Sequence, residues 1–131
     1  MADAQYNSEM NTMISTNKLT VKLRTLHCFE NDEEKFDDIF LKHNGKRIWP
    51  MDKKHVGVRA GSKHDLDVIL KDLTANEQVI IEIWDHDVLS ANDLLGTSMI
   101  VPDQPGGPYM VDMKPVGEKD TARYSIDWQI L

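Results

Sequence analysis

The amino-acid sequence predicts an all-β protein, an eight-stranded antiparallel β-sandwich. Apolar and polar residues alternate along several segments, as they do in half-buried strands. Turn-forming residues separate these segments at intervals of about eight to twelve residues, which is typical of sandwiches. The chain has 131 residues, of which 40% are apolar and 28% charged, and these values fit one globular domain.

The first predicted strand follows a segment without periodicity. Residues 1–16 are polar and irregular, and we interpret them as a flexible N-terminal arm preceding a domain at 17–131. From Lys18 onwards Leu19, Val21 and Leu23 point to one face. This alternation predicts a half-buried strand that ends near His27.

The segment 29–43 has two interpretations. As a helix it would align Phe29, Phe36 and Phe40 on one stripe, with Asn31 as the N-cap. As an acidic loop followed by a strand, it would turn Ile39 toward the core. Local propensity alone slightly favours the helix.

Three further features organise the middle of the chain. Asn44-Gly45 is a strong hairpin signal, so the strand before it should turn back and end near Pro50. Residues 51–64 form a basic, glycine-containing connection. Leucine and valine then alternate with charged residues over 65–71, which predicts another strand.

An acidic loop follows the strand that starts at Val79. Val79, Ile81 and Ile83 share one face, and the loop after them carries Asp85, Asp87 and Asp93. Carboxylate oxygens at such short spacing are ligands that suit Ca²⁺.

The last third of the chain completes the predicted sandwich. Residues 97–101 have the composition of a strand, and 102–108 form a cluster of turn residues. Tyr109 begins a weak alternation. Residues 123–130 alternate clearly, and we expect them to form the final strand.

A second acidic loop holds Asp32 and Asp38, again at the junction of two predicted strands. If both loops lie at one end of the sandwich, five aspartates converge there, and their mutual repulsion would cost several kcal/mol without a cation. We therefore predict one or two Ca²⁺ ions, bound by a set of aspartates from the two loops: Asp32, Asp38, Asp85, Asp87 and Asp93.

These residues resemble those of the C2 domains, the calcium- and phospholipid-binding sandwiches of protein kinase C and the synaptotagmins. C2 domains carry two ligand aspartates at the spacing of Asp32 and Asp38, and three more as D-x-D-x5-D before a glycine, here Gly96. The resemblance covers Lys18 to Leu131 and implies a C2-like Greek key. It also favours a loop and strand over a helix at 29–43.

Two departures from the family pattern stand out. C2 domains often have a proline after the second aspartate of the first loop, where this chain has Ile39. Their Asn-Pro-x-aromatic stretch is replaced here by the basic connection at 51–64.

The resemblance implies a binding surface at the loop tips. Apolar residues at the tips of C2 domains enter the membrane when calcium is bound, and the corresponding residues here are Val88, Leu89 and Phe36. Alternatively, Phe36 begins the core of its strand, and Val88 and Leu89 cap the sandwich. The expected partner is an anionic phospholipid membrane or, in a calcium-stabilised assembly without lipid, another protein.

Composition disfavours several other functions. A net charge of −7 disfavours nucleic acid as a partner. We find no apolar run that would span a membrane and no signal peptide, and the single Cys28 is compatible with a cytoplasmic protein, including one at a membrane surface.

We expect no enzymatic activity, because no nucleophile–base pattern accompanies the acidic residues. His86, between Asp85 and Asp87, is a weaker candidate for zinc.

Overall fold

The computed structural model describes residues 18–117 and 120–131, so the predicted arm at 1–16 lies outside the described residues. Within them the chain forms ten strands and no helix, which confirms the all-β prediction. It follows that no helix of the described residues could cross a membrane. The strands are β1 (Lys18–Glu30), β2 (Asp37–His43), β3 (Lys46–Trp49), β4 (Val56–Val58), β5 (Lys63–Thr74), β6 (Val79–Asp85), β7 (Asp93–Ile100), β8 (Gly106–Asp112), β9 (Lys114–Pro115) and β10 (Arg123–Ile130).

The strands form two antiparallel sheets. One has the order β5-β1-β10-β8, and the other has the order β3-β2-β6-β7-β9, with β4 also pairing to β2. Eight strands have four residues or more, as predicted, and β4 and β9 are the two additional ones. Strands of three and two residues are too short to produce a visible alternation.

The core lies between the two sheets and is built by the predicted inward faces. Along β6, Val79, Ile81 and Ile83 are all buried. Burying a side chain of this size contributes about 1.5–3 kcal/mol. The same alternation buries residues of β1 and β10, namely Val21, Leu23, Leu26, Tyr124, Ile126, Trp128 and Ile130.

The helical interpretation of 29–43 is wrong. Residues 32–35 form bends, and β2 starts at Asp37 with Ile39 and Leu41 fully buried. Pairing of β2 with β6 on one side, and with β3 and β4 on the other, overrides the local helix propensity.

The Asn44-Gly45 hairpin between β2 and β3 is confirmed. Both turn residues have positive φ, 51° for Asn44 and 76° for Gly45, as a type I′ turn requires. β3 then ends at Trp49, directly before Pro50.

Several boundaries differ from the prediction. β5 and β7 are longer than the predicted strands at 65–71 and 97–101, and two further differences involve β10. β1 continues beyond His27 to Glu30, because β10 pairs with it as far as Arg123. The predicted turn cluster at 102–108 overlaps the start of β8 at Gly106, which pairs with Ile130. In both cases pairing with β10 decides the boundary, and local turn chemistry does not.

Candidate metal centre and adjoining pocket

The two acidic loops, 31–36 and 86–92, lie together at one end of the sandwich, which we call the acidic pole. β2 and β6 are antiparallel neighbours, so the start of β2 lies beside the end of β6. The Asp38 amide donates to Asp85 Oδ1 over 2.8 Å. The His86 amide donates to the Asp38 carbonyl oxygen over 2.7 Å.

Asp85 is the most buried of the five predicted ligands, with 5% exposure. Burial, and to a smaller extent the negative charges of Asp37 and Glu33, raise its pKa to about 7, although the Asp38 amide acts in the opposite direction. The hydrogen bond from the Asp38 amide therefore does not offset the cost of burying the charged Asp85 carboxylate. A cation at this position would favour the ionised form.

A cavity of about 480 Å³ is lined by Asp85 and by residues from both acidic loops. Three of the five predicted ligands line it, Asp38, Asp85 and Asp87, together with Glu33 and Glu34.

The other two predicted ligands lie beside this cavity. Asp93 pairs with Asp85 in the register of β6 and β7. Burial, and to a smaller extent the negative charges of Asp37, Asp120 and Asp93, raise the pKa of Asp32. The Asp32 amide donates to the Asp37 carboxylate, which places Asp32 beside the start of β2 and thus at the pole. The structure thus gathers all five aspartates at one end, and three of them share one cavity.

The donor chemistry at the pole fits Ca²⁺, although the side chains are engaged elsewhere. The Asp87 carboxylate accepts hydrogen bonds from the Leu89 and Ser90 amides and from Ser90 Oγ, which lower its pKa. Asp38 Oδ1 lies 3.2 Å from Nδ1 of His55. Among residues 18–117 and 120–131, no three His, Cys, Asp or Glu side chains are already arranged around a metal position. Coordination would therefore use the remaining lone pairs of Asp38 and Asp87 or displace some of their present partners.

Asp37 is an important residue of the pole that the sequence analysis missed. It has 0% exposure, and its carboxylate accepts from the amides of Asp32 and Glu33 and from the Tyr124 hydroxyl. A signal for its burial was available, since Asp37 shares the strand alternation of Ile39 and Leu41.

A second cavity of about 380 Å³, which we call the basic pocket, adjoins the acidic pole on the outer face of the six-stranded sheet. Lys42 Nζ lies 4.8 Å from the Trp84 ring and 5.9 Å from the Phe40 ring, within cation–π range. His86 lines both this pocket and the acidic cavity. The lining residues are Phe40, Lys42, Arg47, Lys54, His86 and Asn92.

The apolar residues at the loop tips face solvent. Val88 is 86% exposed and Leu89 is 97% exposed, so they do not cap the sandwich. Phe36 is 41% exposed and packs partly beside Gly57. An exposed aliphatic pair next to an acidic cavity is the arrangement that the resemblance implied.

The described residues have the fold of C2 domains. The C2A domain of a plant extended synaptotagmin 1 is similar with a TM-score of 0.51 at 9% sequence identity, covering 88% of this chain and 95% of that domain. A structure described as a C2 domain gives 0.49 at 11% identity, covering 86% and 96%. Human GIVD cytosolic phospholipase A2 gives 0.47 at 10% identity, covering 86% of this chain and 16% of that one.

At the level of sequence, no family model and no curated protein matches the chain. The structural similarity to the synaptotagmin domain confirms, as a resemblance of fold, the resemblance to C2 domains that the aspartate spacing indicated.

Proposed function

We propose that this protein is a calcium-responsive module that associates with anionic phospholipid surfaces through its acidic pole. The observation that carries the proposal is the cavity lined by Asp38, Asp85 and Asp87, with the exposed Val88 and Leu89 at its rim. The proposed cation site and the exposed apolar pair thus lie at the same end of the sandwich.

The aspartates would hold one or two Ca²⁺ ions. Asp38, Asp85 and Asp87 supply oxygen ligands from the cavity walls, with Asp32 and Asp93 beside them. Bound Ca²⁺ supplies positive charge that keeps Asp85 ionised and reduces repulsion between the loops. Two ions would change the charge of the five aspartates from −5 to about −1.

The tips and the basic pocket would contact the lipid. Fully burying Val88 and Leu89 is worth about 3–5 kcal/mol, which alone gives weak and reversible association. Lys42, Arg47 and Lys54 surround the basic pocket, and each can add about 1 kcal/mol near an anionic surface. Because the whole chain carries a net charge of −7, association depends on neutralising the pole.

Sedimentation with vesicles tests the proposal. The protein is incubated with phosphatidylcholine vesicles, with or without phosphatidylserine, in calcium or in chelator. We expect pelleting only with phosphatidylserine and calcium together. A double variant with Val88→Ser and Leu89→Ser should lose most of this pelleting, whereas Met99→Ser, which alters a half-exposed residue at the far end of β7, should not.

The outcomes separate lipid binding from its alternative. Wild-type protein that stays in solution under all four conditions would show that lipid is not the partner. Calcium-dependent growth in particle mass without vesicles would instead support the calcium-stabilised protein assembly.

A further inference from the structure

We propose that Asp37 is a positioning residue that holds the first acidic loop in the arrangement that binds a cation, and that Tyr124 anchors Asp37 to the opposite sheet. This inference rests on the proposed function, since it concerns the loop that would hold the ion.

The contacts of Asp37 fix the backbone of the first acidic loop. Its carboxylate accepts from the Asp32 amide at 2.8 and 3.0 Å and from the Glu33 amide at 2.7 Å. The Tyr124 hydroxyl donates to Oδ2 at 2.5 Å. The two amides fix the backbone of the loop to the Asp37 side chain, and the Tyr124 hydroxyl holds that side chain from the opposite sheet.

Asp37 also joins three parts of the sandwich. It lies on β2 in the six-stranded sheet, whereas Tyr124 lies on β10 in the four-stranded sheet. Both residues are buried, and no Lys, Arg or His of the described residues forms an ion pair with Asp37. The loop, β2 and β10 are thus connected through one carboxylate.

This geometry assigns Asp37 a role different from that of a ligand. Its oxygens are occupied by protein donors, and it is not among the residues that line the acidic cavity. The anchored backbone instead places Glu33 on the cavity wall with Asp85 and holds Asp32 beside the start of β2. Releasing the backbone would disperse these carboxylates, and the ion would have to order them again at an entropic cost.

Tyr124→Phe tests the inference, because it removes one donor and leaves the ring in place. In chelator we expect amide hydrogen exchange at Asp32 and Glu33 to become about tenfold faster, since removing one partner of a buried hydrogen bond typically costs a factor of this size. Calcium titration by calorimetry, below the melting temperature, should show affinity reduced about tenfold at unchanged stoichiometry. Asp37→Asn should act in the same direction and more strongly.

Ile126→Val is the matched control. It removes one methylene from a fully buried residue on the same strand, which lowers stability without touching the carboxylate. Its calcium affinity should equal that of the wild type.

Each remaining result has a definite meaning. If Tyr124→Phe exchanges faster but binds calcium as the wild type does, Asp37 is only structural and the inference is wrong. The inference is also wrong if exchange at Asp32 and Glu33 does not change. Wild-type protein that shows neither a heat of calcium binding of either sign nor a calcium-dependent rise in Tm would overturn the proposed function itself, a result that is separate from any effect of Tyr124→Phe.

Discussion

Asp85 combines deep burial with acidic neighbours and has no cationic partner among the described residues. Its pKa of about 7 arises mainly from burial, and the charges of Asp37 and Glu33 add to it. An aspartate in an unfolded chain has a pKa of about 3.9. The folded protein therefore binds the Asp85 proton more tightly than the unfolded chain does.

In the absence of calcium, the free energy of unfolding should therefore fall as the pH rises. The stabilisation from protonated Asp85 is fully present below about pH 3.9 and is lost as the pH rises through about 7. Without calcium, this single group should lower the free energy of unfolding by up to about 4 kcal/mol over that interval, at about 1.4 kcal/mol per pH unit.

Asp85→Asn should remove this part of the pH dependence, because an amide does not ionise and its oxygen can still accept from the Asp38 amide. In chelator we expect the variant to be more stable than the wild type at pH 7.5 and to differ less from it at pH 5. Urea unfolding at the two pH values measures both differences. The same difference at both values would show that Asp85 is already ionised at pH 5.

The residues of the pole were only partly predictable from the sequence. The five aspartates have a recognisable spacing, and the structure gathers them at one end of the sandwich. The role of Asp37 depends on Tyr124, which is 87 positions away in the chain, and no local pattern indicates such a contact. The basic pocket was missed for the same reason, since β2, β3 and both neighbouring loops contribute to it.

At the scale of elements, strands with one buried face were the most predictable. β6 alternates strictly, and β1, β5 and β10 alternate over most of their length, as expected for strands that are packed on one side only. The start of β8, at 106–108, was predicted as part of a turn because these residues are glycine and proline, and its later alternation is weak because most of its side chains are exposed. Its pairing with β10 depends on distant residues.

β5 is an edge strand of the four-stranded sheet, and the bulges along it disfavour pairing with a further strand. Asp67 and Asp72 have positive φ values of 50° and 58°, at two register shifts between β5 and β1. Bulges and charged side chains on an edge strand interrupt the surface on which another strand could pair.

Gly96 is needed where β7 and β9 approach each other. A Cβ atom at this position would overlap the Lys114 carbonyl oxygen and lie 2.6 Å from Met113 Cγ. Gly96→Ala should lower the free energy of unfolding by about 1–3 kcal/mol, the usual cost of overpacking. Gly57→Ala is the control, because its Cβ would lie at an ordinary 3.5 Å from Phe36. Chemical denaturation that shows equal losses for both variants would contradict the close approach at Gly96.

At the scale of the whole molecule, charge is distributed unevenly around one end. Five acidic residues and one cation, Lys35, line the cavity of the pole, and Lys42, Arg47 and Lys54 surround the pocket beside it. His86 lies between the two. A phosphate group in the basic pocket would therefore be close to a cation in the acidic cavity, and each charge would favour the binding of the other.

Calcium should stabilise the folded protein, because the pole exists only in the folded state. A ligand at a hundredfold excess over its Kd adds about 2.7 kcal/mol, which corresponds to a rise in Tm on the order of 10 °C for a domain of this size. Asp87→Asn and Asp85→Asn should each abolish the rise, measured against the same variant in chelator. Magnesium should produce a smaller shift, since it demands a stricter octahedral geometry. Identical melting of the wild type in calcium and in chelator would mean that the aspartates gather at this end without binding the ion.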